Sequence, residues 1–140
     1  MPLTVAILGI GFDLVAVGEF RELLDRPGTT VLTSFTPGER RDVARRETDR
    51  ARHFAARWAA KEAVIKAWSA SIHGRPPVTA EGIHHLVEVV TDAWGRPAIR
   101  LAGEVATALA GTSLHVSLTH DGDMAGAFVV LEGDRIPEGE

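Results

Sequence analysis

The stretch Phe54–Trp68, FAARWAAKEAVIKAW, decides the fold, because it predicts one long helix around which the other elements pack. Alanine, the best helix former, recurs through it, and neither glycine nor proline interrupts the chain between His53 and Gly74. Large apolar side chains share one side of the helical wheel, and alanines fill most of the remainder. A helix that is apolar or small all the way round is normally buried.

Four charged residues interrupt this apolar helix: Arg57, Lys61, Glu62 and Lys66. A buried charge without a partner is costly, so each of them needs one. One interpretation is structural: Glu62 pairs with Lys66 or Lys61, and the lysines extend their ends to solvent. The other is functional: Glu62 holds a metal ion and the basic groups bind a polyanionic phosphate.

Composition places the chain among ordinary globular proteins. Its 140 residues are 45% apolar, carry a formal net charge of -4 and include no cysteine, which predicts a single domain over 1–140 and excludes disulfides and thiolate metal sites. No apolar run approaches the ~20 residues of a membrane span, and the start MPLTVAILGIGF lacks a basic region and predicts a strand rather than a signal peptide. We therefore expect a cytoplasmic protein that does not bind a membrane.

Charge is unevenly distributed along the chain. Between Glu39 and Lys66 there are nine of the fifteen basic residues but only five acids, so this segment carries about +4 in an acidic protein. A local basic region indicates an anionic ligand or partner rather than bulk binding of nucleic acid. For the arginines from Arg40 to Arg52, a solvated helical face is the alternative.

The run from Val5 to Val17 predicts the first strand. Gly9 and Gly11 interrupt it and permit another backbone to approach closely. Asp13 is out of place in such an apolar strand. It either marks a turn or bulge at the strand end, or is a metal-binding carboxylate presented by a rigid element.

The remaining elements predict an α+β fold. Thr36-Pro37-Gly38-Glu39 has the pattern of a capping box and predicts a helix from Pro37. His84-His85 in a short connector is typical of a surface, since no third zinc ligand lies at a useful spacing. The other predicted elements are a short amphipathic helix after Gly18, a hairpin of 86–91 and 96–101, a helix at 103–109, a second hairpin of 114–119 and 124–131 with its turn at His120–Asp123, and a polar tail from Glu132.

Four motifs in order resemble the holo-acyl-carrier-protein synthase family, the small phosphopantetheinyl transferases: Gly9–Asp13 (GIGFD), Arg57–Ala67 (RWAAKEAVIKA), Gly95–Pro97 (GRP) and His115–His120 (HVSLTH). The resemblance covers nearly the whole chain. It implies an α+β fold with an antiparallel sheet packed on a long central helix. It also implies a homotrimer with active sites at the subunit interfaces.

The resemblance also implies an activity, the transfer of 4'-phosphopantetheine from coenzyme A to a serine of an apo acyl carrier protein or carrier domain, for fatty acid biosynthesis. Asp13 and Glu62 would hold Mg²⁺, and Glu62 and Lys66 would be catalytic, with either Glu62 or a metal-bound water taking the serine proton. Coenzyme A would be bound by Lys66 at the pyrophosphate, by Arg57 and His120 at the nucleotide phosphates, and by Lys61 if that lysine does not pair with Glu62. The first amphipathic helix would dock the carrier protein through Arg21 and Arg26 beside Phe20 and Leu24.

Two other functions remain open from the sequence. A metal-dependent phosphohydrolase acting on a nucleotide-like substrate would use the same Asp13 and Glu62. A non-enzymatic module would bind an acidic partner or RNA through Arg40 to Arg52, with a strong dependence on salt and no need for magnesium.

Overall fold

The computed structural model describes residues 5–46, 48–77 and 82–134. The start of the predicted first strand (1–4), Glu47 of the basic segment and the end of the predicted polar tail (135–140) lie outside these residues. The described helices are α1 Val17–Asp25, α2 Pro37–Ala44, α3 Arg50–Ser71 and α4 Gly103–Ala108, with single 3-10 turns at Val31–Ser34 and His84–Leu86. The described strands are β1 Val5–Ala16, β2 Val87–Thr91, β3 Pro97–Leu101, β4 Ser113–Asp121 and β5 Met124–Asp134.

The strands form two antiparallel sheets. One has the order β1-β5-β4, and the other is the hairpin of β2 and β3. Helix α3 packs across the three-stranded sheet and also contacts β2, so it joins the two sheets. The predicted α+β class, with an antiparallel sheet packed on a long central helix, is confirmed.

Helix α3 is buried on nearly every side, as its composition predicts. Its small residues form the contact surface, and five alanines have no exposed area: Ala55, Ala59, Ala60, Ala63 and Ala67. Gly9 on β1 shows how closely the strand approaches, because a Cβ atom built there would lie 1.9 Å from the carbonyl oxygen of Ala67. Glycine is therefore required by the contact between two backbones.

A second apolar cluster lies between α1, α2 and the N-terminal half of α3. The rings of Phe20, Phe35 and Phe54 meet there, with Phe35 and Phe54 centroids 4.7 Å apart. Helix α2 begins at Pro37 with the predicted capping box, in which Thr36 and Glu39 each bond the other's backbone. The box fixes the direction in which α2 leaves this cluster.

The second hairpin is tighter and longer than predicted. Strand β4 continues to Asp121 and β5 starts at Met124, so His120 lies in a strand rather than in the turn. Glu132 pairs with Ile7 as part of β5, and the predicted tail does not begin there. Because β5 pairs with β1 along its length, β5 is longer than the apolar run in its sequence indicates.

Among the described residues, none of the helices combines the length and the hydrophobicity that crossing a membrane would require.

Candidate active site

Asp13 belongs to the regular part of β1. It pairs with Ala127 on β5, and the irregularity of this strand lies earlier, between Ile7 and Gly9, so the bulge alternative is wrong for Asp13. Side chains alternate along a strand, which puts Asp13 on the same face as Gly11. Gly11 faces α3 at Ala63, and the strand therefore presents the Asp13 carboxylate to the next turn of the helix.

Lys66 connects that carboxylate to the helix. Its Nζ donates to Oδ1 of Asp13 at 2.9 Å and to the carbonyl oxygen of Phe12 at 3.0 Å. The interpretation that Lys66 pairs with Glu62 along the helix is wrong, because Lys66 pairs with Asp13 on the strand. The Lys66 side chain is 52% exposed, so its ammonium group remains accessible to a ligand from solvent.

Asp13 and Glu62 line one open cleft of about 360 Å³, bordered by Glu19, Leu23 and Trp58. Two carboxylates are the hard oxygen donors that Mg²⁺ takes from proteins, with substrate phosphates and water filling its other positions. Across 5–46, 48–77 and 82–134, no three or more His, Cys, Asp or Glu residues form a group that could hold a metal alone. The donor set thus fits a magnesium ion shared with a phosphate substrate.

His84 is the residue at this site that the sequence did not indicate. Its Nε2 lies 3.1 Å from Oε1 of Glu62, and its ring stacks on Trp58 with centroids 4.4 Å apart and planes 9° apart. The sequence predicts a surface position, and the neighbouring His85 is indeed exposed. Only the packing of the His84–Leu86 turn against α3 brings this ring to Glu62, and no spacing pattern encodes that contact.

Lys61 does not reach the cleft. Its side chain and that of Glu39 are both fully buried, with Nζ 2.7 Å from Oε1 of Glu39. The same ammonium donates to the carbonyl oxygens of His84 and Val87. Burial lowers the pKa of Lys61, although the charge of Glu39 opposes this shift. The structure therefore corrects the expectation that Lys61 pairs with Glu62 or contacts a phosphate, because its three donor positions are satisfied inside the core.

Arg57 is also held away from the cleft. Its side chain is 4% exposed, and its guanidinium donates to Oδ2 of Asp42 at 3.0 Å and to the carbonyl oxygen of His53 at 3.2 Å. Its Nε is buried and has no partner among the described residues. Thr91 donates to the same Asp42 oxygen at 3.0 Å. Arg57, expected at the nucleotide phosphates, instead ties α3 to α2 and β2.

His120 lies on the sheet face that carries Asp13, but not beside it. It pairs with Ala125 on β5, which pairs with Val15 on β1, so two strand spacings of about 4.8 Å each separate His120 from β1. Its side chain is exposed. The structure thus brings Asp13, Glu62 and Lys66 together and leaves His120 at the margin of the same face.

Helix α1 is amphipathic, but its apolar face packs in the core, whereas the docking expectation requires that face to be exposed to a partner. Phe20 and Leu24 are only 5% and 7% exposed, because they pack in the second apolar cluster. Arg21 and Arg26 are exposed as expected. The exposed side of α1 is therefore charged, and two apolar residues of this helix, the half-buried Leu23 and the buried Phe20, border the cleft.

Comparisons with known proteins identify the family of this chain. The family model for the 4'-phosphopantetheinyl transferase superfamily matches residues 9–129. A holo-[acyl-carrier-protein] synthase of Mycobacterium sp. (strain KMS) is 58% identical over 127 residues, covering 91% of this chain and 98% of the relative. The Mycobacterium tuberculosis acyl carrier protein synthase structure has 52% identity and a TM-score of 0.78, covering 91% of this chain and 99% of that one.

A structure described as a Chronobacterium ammoniagenes ACPS-CoA complex is 43% identical with a TM-score of 0.85, and the match covers 94% of this chain and 99% of that chain. These matches span nearly the full length of each relative, so the similarity is not confined to one motif. The chain belongs to the 4'-phosphopantetheinyl transferase superfamily.

Proposed function

We propose that this chain is a holo-[acyl-carrier-protein] synthase, which moves the 4'-phosphopantetheine group of coenzyme A to a serine of apo acyl carrier protein. The observation that carries the proposal is that Asp13 and Glu62 line one open cleft and that Lys66 donates a hydrogen bond to Asp13. The names of the relatives support it, as does the related structure that holds coenzyme A. The proposal extends to fatty acid biosynthesis, as the family resemblance implies, and to the cytoplasm, as expected from the sequence.

The proposed reaction replaces the anhydride oxygen on the β-phosphorus of coenzyme A with the ester oxygen of the acceptor serine. The serine hydroxyl oxygen attacks the β-phosphorus of coenzyme A, and the bond from that phosphorus to the bridging oxygen of the pyrophosphate breaks. The bridging oxygen keeps the electron pair and leaves on adenosine 3',5'-bisphosphate. The serine proton passes to a base in the cleft. Negative charge therefore increases on the leaving phosphate while the new ester forms, and catalysis requires positive charge at that position.

Asp13 and Glu62 are the residues we propose to hold Mg²⁺. When bound, the ion would neutralise charge on the pyrophosphate oxygens. The two carboxylates come from a strand and a helix that contact each other through glycine and alanine, so their separation is fixed by backbone packing. A rigid pair of this kind is suited to an ion that tolerates little distortion of its geometry.

Glu62 and Lys66 are the residues we propose to act on the reacting groups. Lys66 lies beside Asp13 with its side chain half exposed, and there its ammonium group can stabilise the charge on the leaving phosphate. The Glu62 carboxylate, 31% exposed on its side chain, can accept the serine proton. We propose that His120 binds the nucleotide phosphates of coenzyme A. Arg57 and Lys61 instead stabilise the fold behind the cleft.

The carrier protein would dock on the charged side of α1. Arg21 and Arg26 are exposed there, beside the exposed acids Glu19, Glu22 and Asp25, and acyl carrier proteins are acidic, so the two arginines would supply the attractive contacts. Leu23 borders the cleft at the same helix. A carrier protein docked on this surface would place its acceptor serine close to the carboxylates of Asp13 and Glu62.

We further propose that the active protein is a homotrimer, as the resemblance implies. The β1 side chains that point away from α3 form an exposed apolar row: Val5, Ile7, Ile10, Phe12 and Leu14 are 51% to 62% exposed. Phe128 of β5 extends the row and lies 6.5 Å from the Phe12 ring between centroids. Contiguous apolar surface of this kind marks an interface between proteins. A monomer by light scattering at micromolar concentration would contradict the trimer.

Release of adenosine 3',5'-bisphosphate from coenzyme A, followed with and without apo carrier protein, tests the transferase against the phosphohydrolase. A transferase releases it in proportion to the acceptor. Sustained turnover without any acceptor would favour the phosphohydrolase. Activity that persists after magnesium is chelated would remove the metal assignment, and salt-sensitive binding of an acidic partner without turnover would favour the non-enzymatic module.

A further inference from the structure

The side chain of His84 contacts two residues of α3. Its ring lies between Trp58 and Glu62 of α3, four residues apart on that helix and therefore on one face. The His84 side chain is 19% exposed. An ionised carboxylate can only accept a hydrogen bond, so the 3.1 Å contact to Glu62 requires the proton on Nε2 of His84. The ring thus donates to one oxygen of Glu62, a residue that lines the cleft.

The buried ion pair of Lys61 and Glu39 fixes the position of the His84 backbone. Lys61, which pairs with Glu39 at 2.7 Å, donates to the carbonyl oxygen of His84 at 3.0 Å. Glu39 in turn accepts from the backbone N–H of Val89 at 3.0 Å. The backbone at His84 and the start of β2 are therefore tied to α3 by the residue that precedes Glu62. The side chain of His84 then restrains Glu62 itself.

We propose that His84 is a positioning residue, which holds the Glu62 carboxylate in the orientation needed to act at the cleft. This inference rests on the proposed function, because it assumes that Glu62 is a metal ligand or base. A glutamate on a helix face has three side-chain torsions, and a hydrogen bond made on folding removes the need to order them when substrate binds. Partners of metal-ligating side chains typically change metal affinity or activity about 10- to 100-fold when removed.

Two substitutions separate the hydrogen bond from the stacking. His84→Phe keeps an aromatic ring against Trp58 but removes the donor, whereas His84→Gln keeps an N–H donor and removes the ring. His85→Phe is the matched control, since its side chain is exposed. Each variant is measured for thermal unfolding, for transfer kinetics and, by calorimetry in the presence of coenzyme A without acceptor, for Mg²⁺ affinity.

We expect His84→Phe to keep the unfolding midpoint while Mg²⁺ affinity and kcat fall about 10- to 100-fold. His84→Gln should recover most of both losses, and His85→Phe should match the wild type. Wild-type Mg²⁺ affinity in His84→Phe would overturn the proposal, as would equal losses in His84→Phe and His84→Gln. If His84→Phe does not fold, His84→Gln decides: near wild-type Mg²⁺ affinity supports the hydrogen bond, and a full loss contradicts it.

The proposed function fails in a different way. If Glu62→Gln binds Mg²⁺ with coenzyme A as well as the wild type does, the carboxylate has been assigned the wrong role and the proposed metal site fails. If Glu62→Gln loses that binding but His84→Phe does not, the metal site stands and only the positioning role is lost. In the Glu62→Gln background, replacing His84 by Phe should cause no further loss, because the carboxylate it orients is already absent.

Discussion

Gly11 on β1 and Ala63 on α3 are in backbone contact: a Cβ atom on Gly11 would lie 1.7 Å from the carbonyl oxygen of Ala63. This contact sets the distance between the strand that carries Asp13 and the helix that carries Glu62. Gly11→Ala should therefore destabilise the protein by at least the ~1–3 kcal/mol of an overpacked core, and should reduce transfer as well. Urea unfolding measures the first effect and a transfer assay the second.

Gly18→Ala is the matched control for that substitution. The nearest atom to a Cβ at Gly18 is a side-chain oxygen of Asp123 at 3.2 Å, which can move. It should cost clearly less stability than Gly11→Ala. Equal stability of Gly11→Ala and the wild type would show that the strand and the helix are not held at this distance.

The buried pair of Lys61 and Glu39 is predicted to stabilise the fold rather than to act on substrate. Lys61→Met leaves the Glu39 carboxylate buried and unpaired, which should cost about 3–5 kcal/mol of unfolding free energy. The double substitution Lys61→Met with Glu39→Gln should recover part of this loss, because no unpaired charge remains. Urea unfolding of the three proteins measures it. An unchanged unfolding free energy in Lys61→Met together with abolished transfer would instead place Lys61 in the active site.

The sequence predicted this architecture well where a local pattern carries the physics. The glycines at 9 and 11 indicated a close backbone contact, the alanines of α3 a buried helix, and Thr36 to Glu39 a helix start, and each is confirmed. These predictions succeed because each depends on residues that are near one another in the chain.

The sequence did not predict side-chain contacts between residues that are far apart in the chain. Lys61 lies 22 residues from Glu39, and His84 lies 22 residues from Glu62, so neither contact has a periodicity. Charges on an apolar helix indicate that partners exist but do not identify them. Phe20 and Leu24 were expected at a docking surface because amphipathicity shows which residues share a face, but not whether that face is turned inward.

The lowered pKa of Asp42 predicts that the free energy of unfolding depends on pH in the acidic range. Burial alone would raise its pKa, but hydrogen bonds from Thr91 and Arg57 and the Arg57 charge hold the pKa of Asp42 below its ordinary 3.8. A carboxyl with a lowered pKa in the folded state contributes stability that is present above pH 3.8 and is lost as the pH falls through the folded-state pKa.

Asp42→Asn should therefore lower the unfolding free energy at neutral pH, by about 1–3 kcal/mol, and should flatten its decline in acid. Urea unfolding at a series of pH values below neutrality measures both. An acid decline as steep as that of the wild type would show that other carboxylates cause it.

Charge reversal on α1 tests the docking surface for the carrier protein. Arg21→Glu with Arg26→Glu should raise the KM for apo carrier protein at least tenfold, because two attractive contacts become repulsive, and should leave coenzyme A binding nearly unchanged. Steady-state kinetics with each substrate varied in turn measures the two effects. Equal weakening of coenzyme A binding would contradict this surface, and so would a carrier effect seen only when Arg40 to Arg52 are altered.

The two cleft carboxylates carry the central claim. Asp13→Asn and Glu62→Gln each remove one charged ligand and should each abolish transfer while leaving the unfolding transition close to that of the wild type. Circular dichroism during heating provides the control for folding. Transfer near the wild-type rate by either variant at ordinary magnesium concentration would remove that residue from the site.

The most direct measurement is the intact mass of apo carrier protein after incubation with this protein, coenzyme A and magnesium. The account predicts a carrier whose mass has increased by one phosphopantetheine group with the wild type, and an unmodified carrier with Asp13→Asn, with Glu62→Gln or without magnesium. An unmodified carrier with the folded wild type, tested against carrier proteins that an established holo-acyl-carrier-protein synthase modifies, would contradict the account.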